Sequence, residues 1–298
     1  MVWCSGWKLA AAVSNAGGLG LIGAGSMHPE TLEEHLIKIK KATDKPYGVN
    51  VPLMYPEQEK VMNLIEKYQV PIVFTSAGSP KKWTGWLKER GIKVAHVVSS
   101  SVFAEKCEAA GVDVVVAEGF EAGGHNGREE TTTMTLIPSV RKATGLPLLA
   151  AGGIGSGKAM LAAMVLGADG VQVGSAFAVA EESSAHAEFK KLVVSLGEGG
   201  TKLMLKKLAP VRLIKNHFYE QVEQAEKSGK SAEELTGLLG RGRAKKGMFE
   251  GDLEEGELEI GQVSAQIDKI QPAALIMKQL LEEFNQAKAG IGSTRFDF

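Results

Sequence analysis

The sequence predicts an α/β protein, a (β/α)8 TIM barrel that lacks its first N-terminal strand and carries a C-terminal helical subdomain. Three observations predict it. Seven short apolar runs alternate with helical patterns between residues 17 and 180. Nearly every run ends in glycine or a polar residue. After residue 180 the alternation gives way to amphipathic helical stripes.

The runs are GGLGLIGAG (17–25), KPYGVNVPL (45–53), VPIVFTSAG (70–78), KVAHVVSS (93–100), VDVVVAEG (112–119), LPLLAAGGI (146–154) and GVQVGSAF (170–177). Each is apolar on both faces, as parallel strands covered by helices must be. Between them Leu32, His35, Leu36 and Ile39 share one helical face, and Val61, Leu64, Ile65 and Tyr68 another. Thr31 with Glu34 has capping-box spacing, and Pro56 and Pro80 stand where helices start. An open doubly wound sheet competes with a closed barrel. Glycine and polar residues at the strand ends favour the barrel, whose enzymes build their sites there. Seven runs are one short of eight, and the chain opens almost directly on a helical stretch, LAAAVSNA (9–16). Beyond 180, Phe189, Leu192, Val193 and Leu196 form a stripe, Ser231 with Glu234 caps a helix, and Met277, Leu280, Leu281 and Phe284 mark a last one. The expected division is a barrel over 1–180 and a helical subdomain over 181–298 covering its mouth. The last helix, about 272–287, would return to the barrel.

Bulk properties exclude several functions. Lys and Arg number 34 against 35 Asp and Glu, so no global field selects nucleic acid or an anionic membrane. Two cysteines make no disulfide framework and fit a reducing cytoplasm. No apolar run reaches the roughly 20 residues needed to span a bilayer, and no signal-peptide pattern opens the chain. The expectation is a cytoplasmic protein. No Cys/His spacing suits a metal.

Two phosphate motifs fail on context. Gly18, Gly20 and Gly23 satisfy G-x-G-x-x-G, but a helix precedes them and they lie inside a strand. The stretch 152–158 nearly makes a P-loop, but Ala159 stands where Ser or Thr must hold magnesium. As a pair, AAGGIGSGK (150–158) and VQVGSA (171–176) read better. They end the last two strands, where barrels commonly seat a phosphate on backbone N–H groups. Gly152, Gly153, Gly174 and Ser175 offer such a cradle, because a Cβ would block close approach. One strand earlier lies EGFEAGGHNGREETTT (118–133). It puts His125 on glycine-rich backbone at the same mouth, where an imidazole can exchange protons near neutral pH. His28, His35, His96, His186 and His217 read as structural or surface residues.

GVN (48–50), AEGFEAGGHNG (117–127), LLAAGGIGSG (148–157), GVQVGSAF (170–177) and GELEIGQ (256–262) together resemble the nitronate monooxygenase superfamily. That superfamily includes the flavin-dependent enoyl-acyl-carrier-protein reductases. The resemblance covers essentially the whole chain in order and implies a barrel holding FMN. It puts the flavin near Met1 and Asn50, beside Ser76, Ala77 and Gly78, and against Glu118 and Gly123. The phosphate would lie on Gly152, Gly153, Gly174 and Ser175, with Ile154 and Gln172 nearby. His125 matches the active-site histidine, and Gly261 and Gln262 a motif lining the pocket from the C-terminal side.

Members that oxidise nitronates typically carry Gln where this chain has Glu118, and the reductases carry Glu. The resemblance therefore leans to a reductase in which NADH or NADPH is the reductant and a trans-2-enoyl thioester on acyl carrier protein the acceptor. The alternatives are oxidation of an alkyl nitronate with O2 and a non-catalytic flavin-binding module. The run Arg241, Arg243, Lys245 and Lys246 could meet an acidic carrier protein or nucleotide phosphates, but charge runs are usually solvated loops. Family members begin with a strand and a Gln-Gly-Gly-Met-like turn, whereas this sequence starts at the matching Met1. An incomplete chain, strand exchange between protomers (a homodimer is left open), or filling of the gap by the tail STRFDF (293–298) would each account for that.

Overall fold

The computed structural model describes residues 1–292. In chain order the elements are α1 (Trp7–Asn15), β1 (Gly20–Gly23), α2 (Pro29–Ala42), β2 (Tyr47–Pro52), α3 (Gln58–Lys67), β3 (Ile72–Ser76), α4 (Thr84–Glu89), β4 (Lys93–Val98), α5 (Ser101–Ala109) and β5 (Val114–Glu118). They continue with β6 (Gly124–His125), α6 (Thr133–Ala143), β7 (Leu148–Ala151), α7 (Gly157–Val165), β8 (Gly170–Gln172), α8 (Ser175–Ala178) and α9 (Ala187–Val194). The last are β9 (Thr201–Met204), β10 (Val211–Ile214), α10 (His217–Lys227), α11 (Ala232–Leu239) and α12 (Ala273–Gly290). No helix among the described residues is long and apolar enough to cross a membrane.

All seven predicted runs form strands, in the parallel order β1-β2-β3-β4-β5-β7-β8. Val49, Val73, Val94, Val115 and Leu148 are fully buried on successive strands, packed beneath Leu32, Leu36, Ile39, Ile65, Leu136 and Ile137 of the surrounding helices. This is the curled sheet of a TIM-barrel-like α/β fold. β1 and β8 are its edges and do not pair with each other. Met1 spans their carboxyl ends: a Cβ on Gly23 would lie 2.7 Å from its carbonyl oxygen, and one on Gly174 3.7 Å from its sulfur. Behind the seam α1 rests on β1 so closely that a Cβ on Gly20 would lie 1.8 Å from the Ala10 oxygen. α12 packs on α1 and α7. The tail 293–298, a candidate to fill the seam, lies outside the described residues.

Two expectations need correction. The segment after 180 is not purely helical: β9 and β10 form an antiparallel hairpin, and β6 joins it through Val211↔His125 and Arg212↔Gly124. Nor do Thr31 and Glu34 cap a helix. α2 starts two residues before Thr31, with Pro29 in its first turn and His28 as an N-cap without a side-chain bond. Proline's fixed φ starts the helix there without a cap. The Ser231–Glu234 capping box does form.

Candidate active site

A cavity of about 1100 Å³ opens at the carboxyl ends of the parallel strands. It is slightly larger than ordinary small-molecule sites, roughly 300–1,000 Å³, so a cofactor and a substrate can share it. Met1, Asn50, Ser76, Ala77, Gly78, Glu118, Gly123, His125, Gly152, Gly153, Ile154, Gln172, Gly174, Ser175 and Gly261 all line it. Gln262 does not. It opens the 3-10 turn Gln262–Gln266 with its side chain exposed, and only its backbone N–H reaches inward, to the Glu121 carbonyl. The expectation that Gln262 lines the pocket is thereby corrected.

Strand register places the first group. Asn50 of β2 pairs with Gly23 and Phe74, Ser76 ends β3 opposite Pro52, and Glu118 ends β5 opposite Ala151. Ala77 follows in the left-handed region at φ +51, a strained conformation of the kind that gathers at functional sites. The second group is built from missing side chains. Gly152 sits at φ +88, and a Cβ there would lie 2.5 Å from the Gly119 oxygen; Gly153 follows at φ +71. At Gly174 a Cβ would meet nothing nearer than the Met1 sulfur, so that backbone faces open cavity. Ser175 Oγ accepts the Gly261 N–H at 3.1 Å and ties the C-terminal segment to this cradle. Among the described residues, buried Gln172 Oε1 has no hydrogen-bond partner. An unpaired buried acceptor is costly, and in a cavity wall it fits a ligand that donates an N–H.

The third group is the loop after β5. Its acid and hydroxyl residues prove to be mostly structural. The Glu121 carboxylate accepts the Thr133 N–H and Oγ1–H at 3.0 Å, and Thr133 Oγ1 also reaches the Gly152 carbonyl at 2.8 Å. Asn126 Nδ2 donates to the Ala122 and Gly124 carbonyls. Arg212, only 2% exposed on β10, donates from Nε and Nη2 to the Phe120 carbonyl at 3.2 and 2.7 Å, its guanidinium 5.0 Å from the Phe120 ring. With the loop held at both ends and paired to β10, His125 is presented at the mouth of the cavity.

Sequence reasoning missed three residues. Arg212 is one; a lone arginine in VRLI gives no sign of burial. Glu259 is another. It lines the cavity, and a Cβ on Gly124 would lie 2.5 Å from its Oε2, so its carboxyl lies against the residue next to His125. The alternation Glu257-Leu258-Glu259-Ile260 was the available signal, since it puts both carboxyls on one side of extended chain. His96 is the third. Buried on β4, it lines the cavity and shares a 2.7 Å hydrogen bond between Nδ1 and Thr75 Oγ1. Burial lowers its pKa to about 4, which keeps it neutral. Burial acts oppositely on the acids. It raises the Glu118 carboxyl to about 7 and Glu257 to about 8, and pushes Glu259 upward as well. The other histidines are structural or peripheral: His35 Nδ1 accepts the Trp7 N–H, His186 caps α9, and His28 and His217 stand by surface glutamates.

The basic run folds back on the acidic stretch that follows it. Arg243 pairs with Glu255 at 3.3 Å, Lys245 with Glu250 at 2.8 Å and Lys246 with Asp252 at 3.0 Å. That favours a solvated, self-neutralised loop over an anion dock.

Fold and cavity together define a class: an α/β-barrel enzyme working at the carboxyl ends of its strands. The sequence signature of the nitronate monooxygenase family matches residues 1–63 and 55–283. A probable nitronate monooxygenase of Staphylococcus saprophyticus is 36% identical over 263 aligned residues, spanning 73% of this chain and 74% of that one. FabK from Thermotoga maritima superposes with a TM-score of 0.93 at 38% identity, over 98% of this chain and 92% of that one. Nitroalkane oxidase from Streptomyces ansochromogenes superposes at 0.84 and 26% identity, over 97% and 94%. The chain belongs to the nitronate monooxygenase family, and is a flavin-dependent oxidoreductase.

Proposed function

We propose that this enzyme binds FMN, accepts electrons from NADH or NADPH, and reduces trans-2-enoyl thioesters carried on acyl carrier protein. The observation that carries this reading is Glu118, a glutamate in the position where nitronate-oxidising relatives typically hold glutamine. The likeness to FabK, which we read as a member of the reductase branch, supports it: identity is 38% against 26% for nitroalkane oxidase.

The residues fit the cofactor. Gly152, Gly153, Gly174 and Ser175 would hold its phosphate, and Gln172 Oε1, an acceptor without a protein partner among the described residues, would accept a ligand N–H. When bound, FMN supplies the two-electron exchange between nicotinamide and thioester. The protein supplies position and protons. As the β-carbon of the enoyl group gains hydride, its α-carbon needs a proton, and an imidazole N–H of His125, which lines the cavity, would give it. Glu118, with a carboxyl pKa raised to about 7, is about half protonated at neutral pH, and its protonated form can donate a hydrogen bond where a carboxylate could not.

The second reading, oxidation of a nitronate with O2, is favoured by the family signature and the name of the staphylococcal relative. Anaerobic mixing separates the two. The reductase reading expects the flavin band to bleach with NADH or NADPH and to return with a crotonyl thioester. No bleaching by either nucleotide, with bleaching by propyl nitronate and recovery in O2, would transfer His125 to nitronate chemistry.

A further inference from the structure

The cavity is lined by two lysine or arginine side chains among the described residues, Lys81 and Lys106. Lys81 lies in the 3-10 turn Pro80–Lys82 after β3, and Lys106 lies on α5 after β4. These two elements pack against each other, so the cations share one stretch of the rim. Both side chains are exposed, and neither has a carboxylate within ion-pair distance among the described residues. Lys106 instead lies 5.2 Å from the ring of half-exposed Phe103. Away from this cavity several other cations are paired: Lys206 with Glu130, Lys202 with Glu223, Lys230 with Glu234, and Arg243, Lys245 and Lys246 within their own loop. The hydroxyls of Ser79 and Ser99 line the same wall. The cavity's carboxyls, Glu118 and Glu259, belong instead to its buried interior. This rim is also separate from the glycine cradle after β7 and β8. The charge layout suits a ligand with a neutral reactive head and an anionic tail, admitting the head and holding the tail outside.

We propose that Lys81 and Lys106 bind the phosphate-bearing tail of the ligand that reacts beside His125. The assignment rests on the reductase reading, which offers two sources of such a tail: the phosphopantetheine arm of the thioester and the phosphates of the nicotinamide nucleotide. The shared chemistry is a phosphate ester held by two ammonium groups and flanking hydroxyls, with Phe103 as an apolar support.

The test is calorimetric titration of the full, FMN-loaded chain with coenzyme A and, separately, with NADP+, which carries the same phosphates but cannot reduce the flavin, comparing the wild type with K81Q/K106Q. Exposed ion pairs are individually modest, so removal of two charges should weaken the affected ligand about fivefold or more. A loss confined to coenzyme A assigns the rim to the thioester arm, and a loss confined to NADP+ assigns it to the nucleotide. Equal affinities in both proteins, or no binding of either ligand by the wild type, would overturn the proposal. Because the variant could be misfolded, the wild type is also titrated across a salt series. Binding to the rim must weaken with ionic strength, and salt-independent binding overturns it as well. The readout is binding without turnover, so its failure is distinguishable from failure of the reductase reading, which flavin bleaching decides.

Discussion

The two sides of the cavity are made by opposite means. On the β7–β8 side the chain removes side chains: Gly152 and Gly153 take positive φ, and Gly174 bares its backbone. On the β5–β10 side it adds them: His125, Glu118 and Glu259 converge, while buried Arg212 and the Glu121–Thr133 pair fix the loop that carries the histidine. A phosphate needs many donors close to main chain and no specific proton, so glycine serves it. Proton chemistry needs one side chain at one place, and therefore a stiff support. The comparison teaches that binding and reactivity in this barrel should be separable by mutation.

The largest expected effect is on the reactive side. His125→Ala should lower kcat by about 10²–10⁴-fold, the usual contribution of a positioned general acid, measured in steady-state assays on the substrate that the bleaching experiment selects. On the binding side Gly152→Val forces a Cβ to 2.5 Å from the Gly119 oxygen at φ +88. A strain of about 1–3 kcal/mol should weaken FMN about tenfold to a hundredfold in a flavin-fluorescence titration. Arg212→Met leaves the Phe120 carbonyl without its donor and should cost about 2 kcal/mol in urea unfolding; an unchanged midpoint would mean the loop has another anchor.

The smallest effect concerns pH. Glu118 is raised by burial to about 7 in the folded chain, so between its unfolded value and that pH the native state binds more protons than the unfolded state. Its contribution is fully present in acid and is lost as pH rises through 7. Glu118→Gln should therefore be more stable than wild type at pH 8 and equal to it at pH 4. A difference that is the same at both pH values would contradict the buried-carboxyl account.

Much of this was legible in the sequence. The seven parallel strands announced themselves because both of their faces are buried, which leaves runs such as VDVVVAEG no polar side. The glycine side was legible for a related reason, since glycine clusters at strand ends have few uses other than close backbone approach. The β9–β10 hairpin was not. Four-residue strands such as TKLM and VRLI carry too little periodicity, and the burial of Arg212 depends on a carbonyl 92 residues earlier. Glu259 was hidden similarly. It is drawn to the cavity by its bridge to Leu213 on that hairpin, so finding it required the hairpin first. Gln262 failed for a local reason, because the turn beginning there directs its side chain outward.

The central claim is that one side of the cavity binds the cofactor and the other reacts. Titrating FMN into wild type, Gly152→Val and His125→Ala, and assaying each at saturating flavin, tests it most directly. The account predicts that Gly152→Val binds FMN at least tenfold more weakly and regains much of its turnover when saturated. His125→Ala should bind FMN within about twofold of wild type and stay inactive at any flavin concentration. Loss of flavin affinity in His125→Ala equal to that in Gly152→Val would contradict the division.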